Sequence, residues 1–292
     1  MTSTFQDKVL QEDALSTEDY QFLCSIVYKQ SRINLGDKKK SFLSSRLLGR
    51  RNSLHIDSWK SYCQFLKSTA VETEIDILID LIATNHTSFF RENQQLKRVE
   101  EEIIPTLVDI DRNRLKELKL WSAACSSGEE PYSLAITVSE FFRKNQNLKT
   151  NWSVYASDIS QKALKIAEKA IYNETKLNLP DPELLERYFS RGLKSYTGKC
   201  RIKKSIKDKV RLKRINLFQP IYPLPHKYHI ILCRNTLIYF DRKSQELLVS
   251  KLYNQLDPGG YLVVGYSDSL ALIKHQFKSI GGGFFQKAEA ES

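Results

Sequence analysis

Between Trp121 and Ser133 the chain reads W-S-A-A-C-S-S-G-E-E-P-Y-S. A short apolar run, Leu118 to Leu120, precedes this stretch and reads as a buried strand. Leu134, Val138, Phe141 and Phe142 follow it at helical spacing. A strand, a turn of small residues and a helix make the first half of a nucleotide-binding α/β unit. Gly128 would let the backbone approach a ligand closely. The turn ends in two carboxylates, Glu129 and Glu130. They argue against a bound diphosphate, which wants backbone N–H groups and cations. A cationic nucleoside suits them better, and S-adenosylmethionine carries both a sulfonium and an ammonium group. A purely local reading competes: acidic residues complement the dipole of a first helical turn, and Pro131 just inside the helix fits it.

Three further groups of residues invite chemistry. Asp158 follows the apolar run Ser153–Ser157. An acid at the carboxyl end of a second strand is where ribose hydroxyls are held in dinucleotide-type folds, although Asp158 also fits as an ordinary helix-initiating residue. Arg234 and Asn235 follow the apolar run Ile230–Cys233 within C-R-N-T-L-I-Y-F-D, again at a strand's carboxyl end, and Tyr239 could face an acceptor or simply pack. Asn85 to Glu92, N-H-T-S-F-F-R-E, sits where the sequence pattern changes. Clefts between domains are favoured ligand sites. Arg91 there could grip a carboxylate in bidentate fashion, while Phe89 and Phe90 read as packing residues that pin the domains together.

The elements that must position these residues divide at about residue 84. Residues 1–84 read as helices: one capped by Thr17 with apolar Tyr20, Leu23, Cys24 and Val27, one from about Asp37 to Arg51, and one carrying Ile75, Leu78, Ile79 and Ile82. Residues 85–105 read as a linker contributing to the site. Residues 106–292 read as strands alternating with helices. Candidate strands are Leu118–Ala123, Ser153–Ser157, His229–Cys233, Tyr261–Tyr266 and Phe284–Lys287. The helices between them include Ser160–Ile171 and Arg242–Leu256, capped by Ser160 and Asp241. Asp257-Pro258-Gly259-Gly260 is a stop-and-turn signal. Alternation of this kind implies a mostly parallel sheet with helices on both faces. The basic stretch from about 188 to 213 breaks the alternation and predicts a small antiparallel insertion, with strands near Lys199–Lys203 and Val210–Lys213.

Length, 292 residues, and a hydrophobic content of 41% allow real cores. No apolar run reaches membrane-span length, and Met1–Asp13 lacks the apolar segment of a signal peptide. A cytoplasmic location is the expectation. Five scattered cysteines without C-x-x-C spacing suit free thiols, and dispersed histidines give no metal site. The net charge of +11 asks for an acidic partner without identifying it. Nine Lys/Arg face two Asp between Lys29 and Lys60. On the second helix Lys39, Arg46 and Arg50 fall on one side, with Leu43 among them.

Taken in order, N-x-T-x-F-F-R at Asn85–Arg91, the Trp121–Ser133 loop, A-S-D-I at Ala156–Ile159, N-L at Asn216–Leu217 and C-R-N-x-x-I-Y-F-D at Cys233–Asp241 resemble the chemoreceptor glutamate methyltransferases of bacterial chemotaxis, the CheR type. The resemblance covers nearly the whole chain. It implies an all-α N-terminal domain followed by a Rossmann-like, S-adenosylmethionine-dependent α/β methyltransferase domain with a small inserted antiparallel β-subdomain. By position it assigns Asn85, Thr87, Arg91, Glu130, Asp158, Asn216, Leu217, Arg234 and Asn235 to the cofactor, and Arg91 with Tyr239 to the acceptor. It implies transfer of a methyl group to glutamate side chains on the cytoplasmic helices of a chemoreceptor, docked through the basic N-terminal helix. In some members the β-subdomain also binds a tethering peptide. The sequence departs from the family where G-H-S-E is usual and Gly265-Tyr266-Ser267-Asp268 stands here.

Such a transfer needs no strong base, because a glutamate with a pKa near ~4.3 is already ionised at neutral pH. Two alternatives carry less. A nucleic-acid methyltransferase fits the charge but lacks an N-P-P-[YF] element and a stacking platform. A non-catalytic cofactor-binding scaffold rests only on the G-Y-S-D departure.

Overall fold

The computed structural model describes residues 14–68, 72–109 and 115–289; the polar segment Met1–Asp13 lies outside them. By backbone contacts they divide into two compact units. The described residues up to Thr84, with Tyr239–Asp241, make the first, and those from Asn85 onward make the second.

The first unit is helical: α1 (Thr17–Ser31), α2 (Lys40–Ser53), α3 (Trp59–Ser68) and α4 (Glu72–Ile82). Ser16, not Thr17, caps α1, its hydroxyl accepting from the Asp19 amide at 3.0 Å. α2 begins later than expected, because Gly36 takes φ +59° and a turn at Asp37–Lys38 intervenes. Tyr20, Leu23, Val27, Leu43, Leu47, Leu78, Ile79 and Ile82 are buried, at helical spacing within each helix. Buried Glu74 accepts from Arg50 Nε at 3.1 Å and from the Tyr62 hydroxyl at 3.1 Å. Breaking such a pair from one side costs about 3–5 kcal/mol. The basic face expected on α2 therefore loses Arg50, which is committed to Glu74. Arg46 lies over the Phe42 ring and is exposed, and Lys39 stands before the first turn.

The second unit opens with α5 (Asn93–Arg98), a π-helical turn (Val99–Ile103) and α6 (Ile104–Asp109). Residues 85–105, expected as a linker, belong to this unit because Phe89, Phe90, Leu96, Val99 and Ile103 enter its core. Phe89 meets Tyr172 and Phe189 edge-on at 4.8 and 5.5 Å. The two phenylalanines expected to pin the domains together are thus core residues of the second unit.

Around this core lie β1 (Glu117–Ala123), α7 (Glu129–Lys144), β2 (Asn151–Asp158), α8 (Gln161–Lys169), β3 (Ile171–Asn173), α9 (Glu183–Tyr188), β4 (Phe189–Arg191), β5 (Lys199–Ile202), α10 (Lys204–Lys207), β6 (Val210–Arg214), β7 (Tyr228–Leu232), α11 (Arg242–Gln255), β8 (Leu256–Val263), β9 (Lys278–Ser279) and β10 (Phe284–Gln286). The main sheet has the order β6-β2-β1-β7-β8-β10-β9. Its first five strands run parallel, and β10 runs antiparallel to β8 and β9. The chain moves outward from β1 to β2 and β6, then returns to β7 on the other side of β1. Ligands in open sheets bind outside the carboxyl ends at such a reversal.

Two expectations change in detail. The antiparallel insertion is the three-stranded sheet β3-β5-β4, so it starts at Ile171, before the expected residue 188. Val210–Lys213, expected within it, is instead the parallel edge strand beside β2. Asp257–Gly260 does not end in a separate turn: β8 starts at Leu256, and these residues bulge between the pairs Tyr228–Leu256 and Ile230–Tyr261. Ser160 caps α8 as expected, its hydroxyl accepting from the Ala163 amide. No described helix is long and apolar enough to cross a membrane.

α7 is fastened to α9 through Glu140. Its carboxylate accepts from Arg143 at 2.7 Å, Arg187 at 3.0 Å and the Tyr188 hydroxyl at 2.5 Å. Burial alone would push this carboxyl up; these donors outweigh it and hold its pKa at about 2 against an ordinary 4.5. The sign follows from a lowered folded-state pKa: the stabilisation is complete well above pH 4.5 and is lost as pH falls toward 2. Glu140→Gln should therefore lower the thermal midpoint at pH 6, and the gap from wild type should narrow at pH 3. A gap that stays constant with pH would remove the ionised carboxylate from the account.

Candidate active site

The turn after β1 is built from left-handed residues. Ala124, Ser126 and Gly128 have φ of 62°, 51° and 98°. Such conformations cost non-glycine residues free energy and persist only where the surroundings impose them. Here the neighbouring strand imposes them. The Cys125 amide donates to the Ser157 carbonyl at 2.8 Å, and the Ser126 amide to Asp158 Oδ2 at 2.7 Å. Asp158 Oδ1 accepts from the Ser160 amide at 2.8 Å. Buried Asp158 thus ties the end of β2 to the β1 turn and to the start of α8. Ile215, which follows β6, donates its amide to the Asp158 carbonyl at 3.0 Å, and this brings Asn216 and Leu217 to the same end of the sheet.

The packing of α8 and the insertion also requires Gly128. A Cβ there would stand 2.7 Å from the Ala167 Cβ and 2.9 Å from the Tyr172 hydroxyl.

The segment from Asn85 to Glu92 lies along this turn. The Ser126 hydroxyl donates to the Asn85 carbonyl at 3.0 Å. The Phe90 amide donates to the Ser133 hydroxyl at 2.9 Å, and that hydroxyl donates to the Glu129 carbonyl. Phe90 and Glu92 are left-handed, with φ 51° and 54°. Thr87 and Arg91 are half-buried, and Arg91 Nη1 donates to the His86 carbonyl at 3.1 Å.

After β7, the Arg234 side chain is 1% exposed. Its Nη2 donates to the Arg91 carbonyl and lies 3.3 Å from Glu92 Oε2, and its Nη1 lies 3.7 Å from Glu130 Oε2. Glu130 Oε1 accepts from the Ser122 hydroxyl at 2.7 Å. Glu92 also accepts from Asn235 Nδ2 at 3.0 Å and from the Tyr266 amide at 3.2 Å. Asp268 accepts from the amides of Asn235, Gly265 and Ile238, which holds the β7 and β8 loops together. The departure from G-H-S-E thus places a shorter carboxylate under three backbone donors. Tyr266 is largely exposed. Tyr239 ends the short 3-10 turn Leu237–Tyr239; its carbonyl accepts from the Asn34 amide at 2.9 Å within the first unit.

Electrostatics decide what this end of the sheet can hold. The Arg234 guanidinium faces two carboxylates, Glu92 and Glu130; Arg91 adds a second positive charge nearby, and Glu129 and Asp158 add negative charge. Burial pushes the Glu130 carboxyl up, against the pull of Arg234, Ser122 and Arg91. Burial likewise pushes up Glu129, whose carboxylate accepts from the Ser127 hydroxyl. A bound cation would relieve that penalty, and a diphosphate would worsen it. Arg234 Nε is buried without a hydrogen-bond partner, a donor of the kind that ligands and ordered waters satisfy.

The structure gathers Glu130 and Asn235 around Glu92 and Arg234, and joins Asp158 to the Asn85 carbonyl through Ser126, with Asn216 and Leu217 following β6 at the same end of the sheet. Thr87 and the Tyr239 side chain lie outside the hydrogen bonds described. Sequence reasoning missed Glu92, Asp268, Ser122 and Ser126. The signal for Glu92 was its place beside N-x-T-x-F-F-R, and for Asp268 a carboxylate three residues after a glycine.

Gly128→Ala should destabilise the protein by roughly 2–4 kcal/mol, combining left-handed strain with overpacking. Thermal unfolding measures this, and an unchanged midpoint would mean that α8 yields at no cost.

The profile of the "CheR methyltransferase, SAM binding domain" matches residues 85–284, and that of the "CheR methyltransferase, all-alpha domain" matches residues 18–83. The chain is 32% identical to a chemotaxis protein methyltransferase of Salmonella typhimurium, over 94% of this chain and 91% of that one. It is 34% identical to one of Borreliella burgdorferi, over 92% and 94%. It is 32% identical to one of Escherichia coli, over 90% and 88%. The carboxylates at this end of the sheet fit the cationic ligand of that domain, and the chain belongs to the CheR family of chemotaxis methyltransferases, with an all-α domain followed by a domain that binds S-adenosylmethionine.

Proposed function

We propose that the protein methylates glutamate side chains on the cytoplasmic region of a chemoreceptor, forming methyl esters. The observation that carries this reading is the buried Glu92–Arg234–Glu130 arrangement at the carboxyl ends of the parallel strands, an acidic seat for a cationic donor. The names of the relatives support the chemotaxis setting.

Bound S-adenosylmethionine supplies an electrophilic methyl group on a sulfonium sulfur. The residues of the chain have the tasks of binding, orienting and excluding water. Asp158 would accept from ribose hydroxyls, and Asn85, Thr87, Glu130, Asn216, Leu217, Arg234 and Asn235 would make up the rest of the cofactor's seat. Arg91 spends one donor on the His86 carbonyl, and the rest of its five-donor fork serves to orient a carboxylate. Tyr239 is assigned to the same orientation on the resemblance alone. A glutamate acceptor is ionised at neutral pH, with a pKa near ~4.3, so no general base is required. Holding the reactants in line accounts for much of the rate gain. On the first unit, Lys39 and Arg46 remain for docking on acidic receptor helices, since Arg50 is held by Glu74.

Calorimetric titration with S-adenosylhomocysteine tests the binding assignments. Asp158→Ala should weaken binding about tenfold or more, the loss expected for hydrogen bonds to a charged group. Equal affinity in the mutant would remove Asp158 from the ligand. Tyr239→Phe should leave that affinity unchanged and slow labelled-methyl transfer to receptor fragments about tenfold. An unchanged transfer rate would end its orienting role.

A further inference from the structure

Asn235 is held at its backbone and at its side chain by different neighbours. Its φ of 52° is left-handed, a conformation that asparagine tolerates better than most residues. The Asn235 amide donates to Asp268 Oδ2 at 2.5 Å, and the Gly265 amide donates to the same oxygen at 3.0 Å. The Ile238 amide donates to Asp268 Oδ1 at 3.3 Å. Gly265 lies directly against Asn235: a Cβ there would stand 2.8 Å from the Asn235 backbone nitrogen and 2.6 Å from its Nδ2. The loop after β8 therefore sets the direction in which the Asn235 side chain leaves the backbone.

The side-chain amide is oriented separately. Its Nδ2 carries two hydrogens. One goes to Glu92 Oε1 at 3.0 Å and the other to the Ser267 hydroxyl oxygen at 2.9 Å. The reverse orientation would set Oδ1 against the Glu92 carboxylate, two acceptors with no proton between them. Glu92 is not free to turn away, because its Oε2 accepts from the Tyr266 amide at 3.2 Å and faces Arg234 Nη2 at 3.3 Å. Asn235 Oδ1 is left as an acceptor without a partner among the described residues.

We propose that Glu92, Ser267 and Asp268 are positioning residues for the methyl donor: they lock the Asn235 amide so that Oδ1 accepts from a hydrogen-bond donor of S-adenosylmethionine. The proposal rests on the reading that Asn235 belongs to the cofactor's seat. Asp268, the carboxylate that replaces the usual glutamate of G-H-S-E, then acts through the Asn235 backbone and not on the ligand. A lock of this kind lowers the ordering left to be done on binding. If the same bonds only closed the loops after β7 and β8, the identity of the atom that Asn235 presents would not matter, and this separates the two accounts.

The test exchanges a charge between positions 92 and 235. Glu92→Gln keeps one oxygen, which Arg234 and the Tyr266 amide hold, and turns an N–H toward Asn235. The Asn235 amide then reverses and presents Nδ2 to the cofactor. Asn235→Asp alone sets a second carboxylate against Glu92. In the double variant the new carboxylate accepts both from the glutamine amide and from the cofactor, with the net charge unchanged. Calorimetric titration of the full chain with S-adenosylhomocysteine reads the outcome. Each single variant should weaken binding about tenfold, and the double variant should return to within about threefold of wild type. Losses that multiply, to about a hundredfold in the double variant, would overturn the proposal. Should Glu92→Gln fail to fold, Ser267→Ala carries the test: about threefold weaker binding at an unchanged thermal midpoint is expected, and wild-type affinity would overturn the lock. Absence of binding to wild type would overturn the cofactor reading itself, whereas multiplying losses beside a wild type that binds overturn only the locking of Asn235.

Discussion

A guanidinium almost wholly removed from water must be neutralised where it stands, and Arg234 is neutralised from two directions. Glu92 arrives from the segment before the sheet, and Glu130 from the first turn of α7. The cost of leaving one of these charges buried and alone is several kcal/mol, so the three elements that carry them cannot separate cheaply. Asn235 and Tyr266 bond to the same Glu92 and extend the tie to the loops after β7 and β8. One ion cluster therefore fixes four chain segments at the end of the sheet where a ligand binds.

The strain at this end has the same origin. Among the described residues, ten non-glycine residues have positive φ, and five of them, Phe90, Glu92, Ala124, Ser126 and Asn235, belong to the segments tied by this cluster and by Asp158. Three of the five are held through their backbone amides by a neighbouring element: Ser126 by Asp158, Phe90 by Ser133, Asn235 by Asp268. A turn held this way stays in shape before a ligand arrives, and less ordering remains to be done on binding.

How much of this was legible in the sequence depends on the range of the interaction. β1, β2 and β7 announced themselves because apolar runs with polar residues at their carboxyl ends are local signals. Ser160 as a cap is local too. Glu92 was not legible, since its partners lie 142 and 143 residues away. β6 was placed in the wrong sheet because the alternation of V-R-L-K reads as a half-exposed antiparallel strand and not as the continuous apolar run of a buried parallel one; its place follows from pairing with β2. Asp257–Gly260 read as a turn because the sequence cannot show that β7 would take the bulge into its ladder. Arg50 read as part of an exposed basic face because its buried partner Glu74 is on another helix.

The contact of Gly128 with Ala167 and the Tyr172 hydroxyl ties three distant positions to a single allowance of space. Ala167 lies on α8, and Tyr172 on the first strand of the inserted sheet, donating to the Ser127 carbonyl. Enlarging any one of them has to be matched by shrinking another, so the three positions are coupled in size. The small sheet, for all that it looks like an addition to the fold, is therefore tied in size and position to the turn at the active end. An exchange of that insertion between relatives would carry across only together with residues 128 and 167.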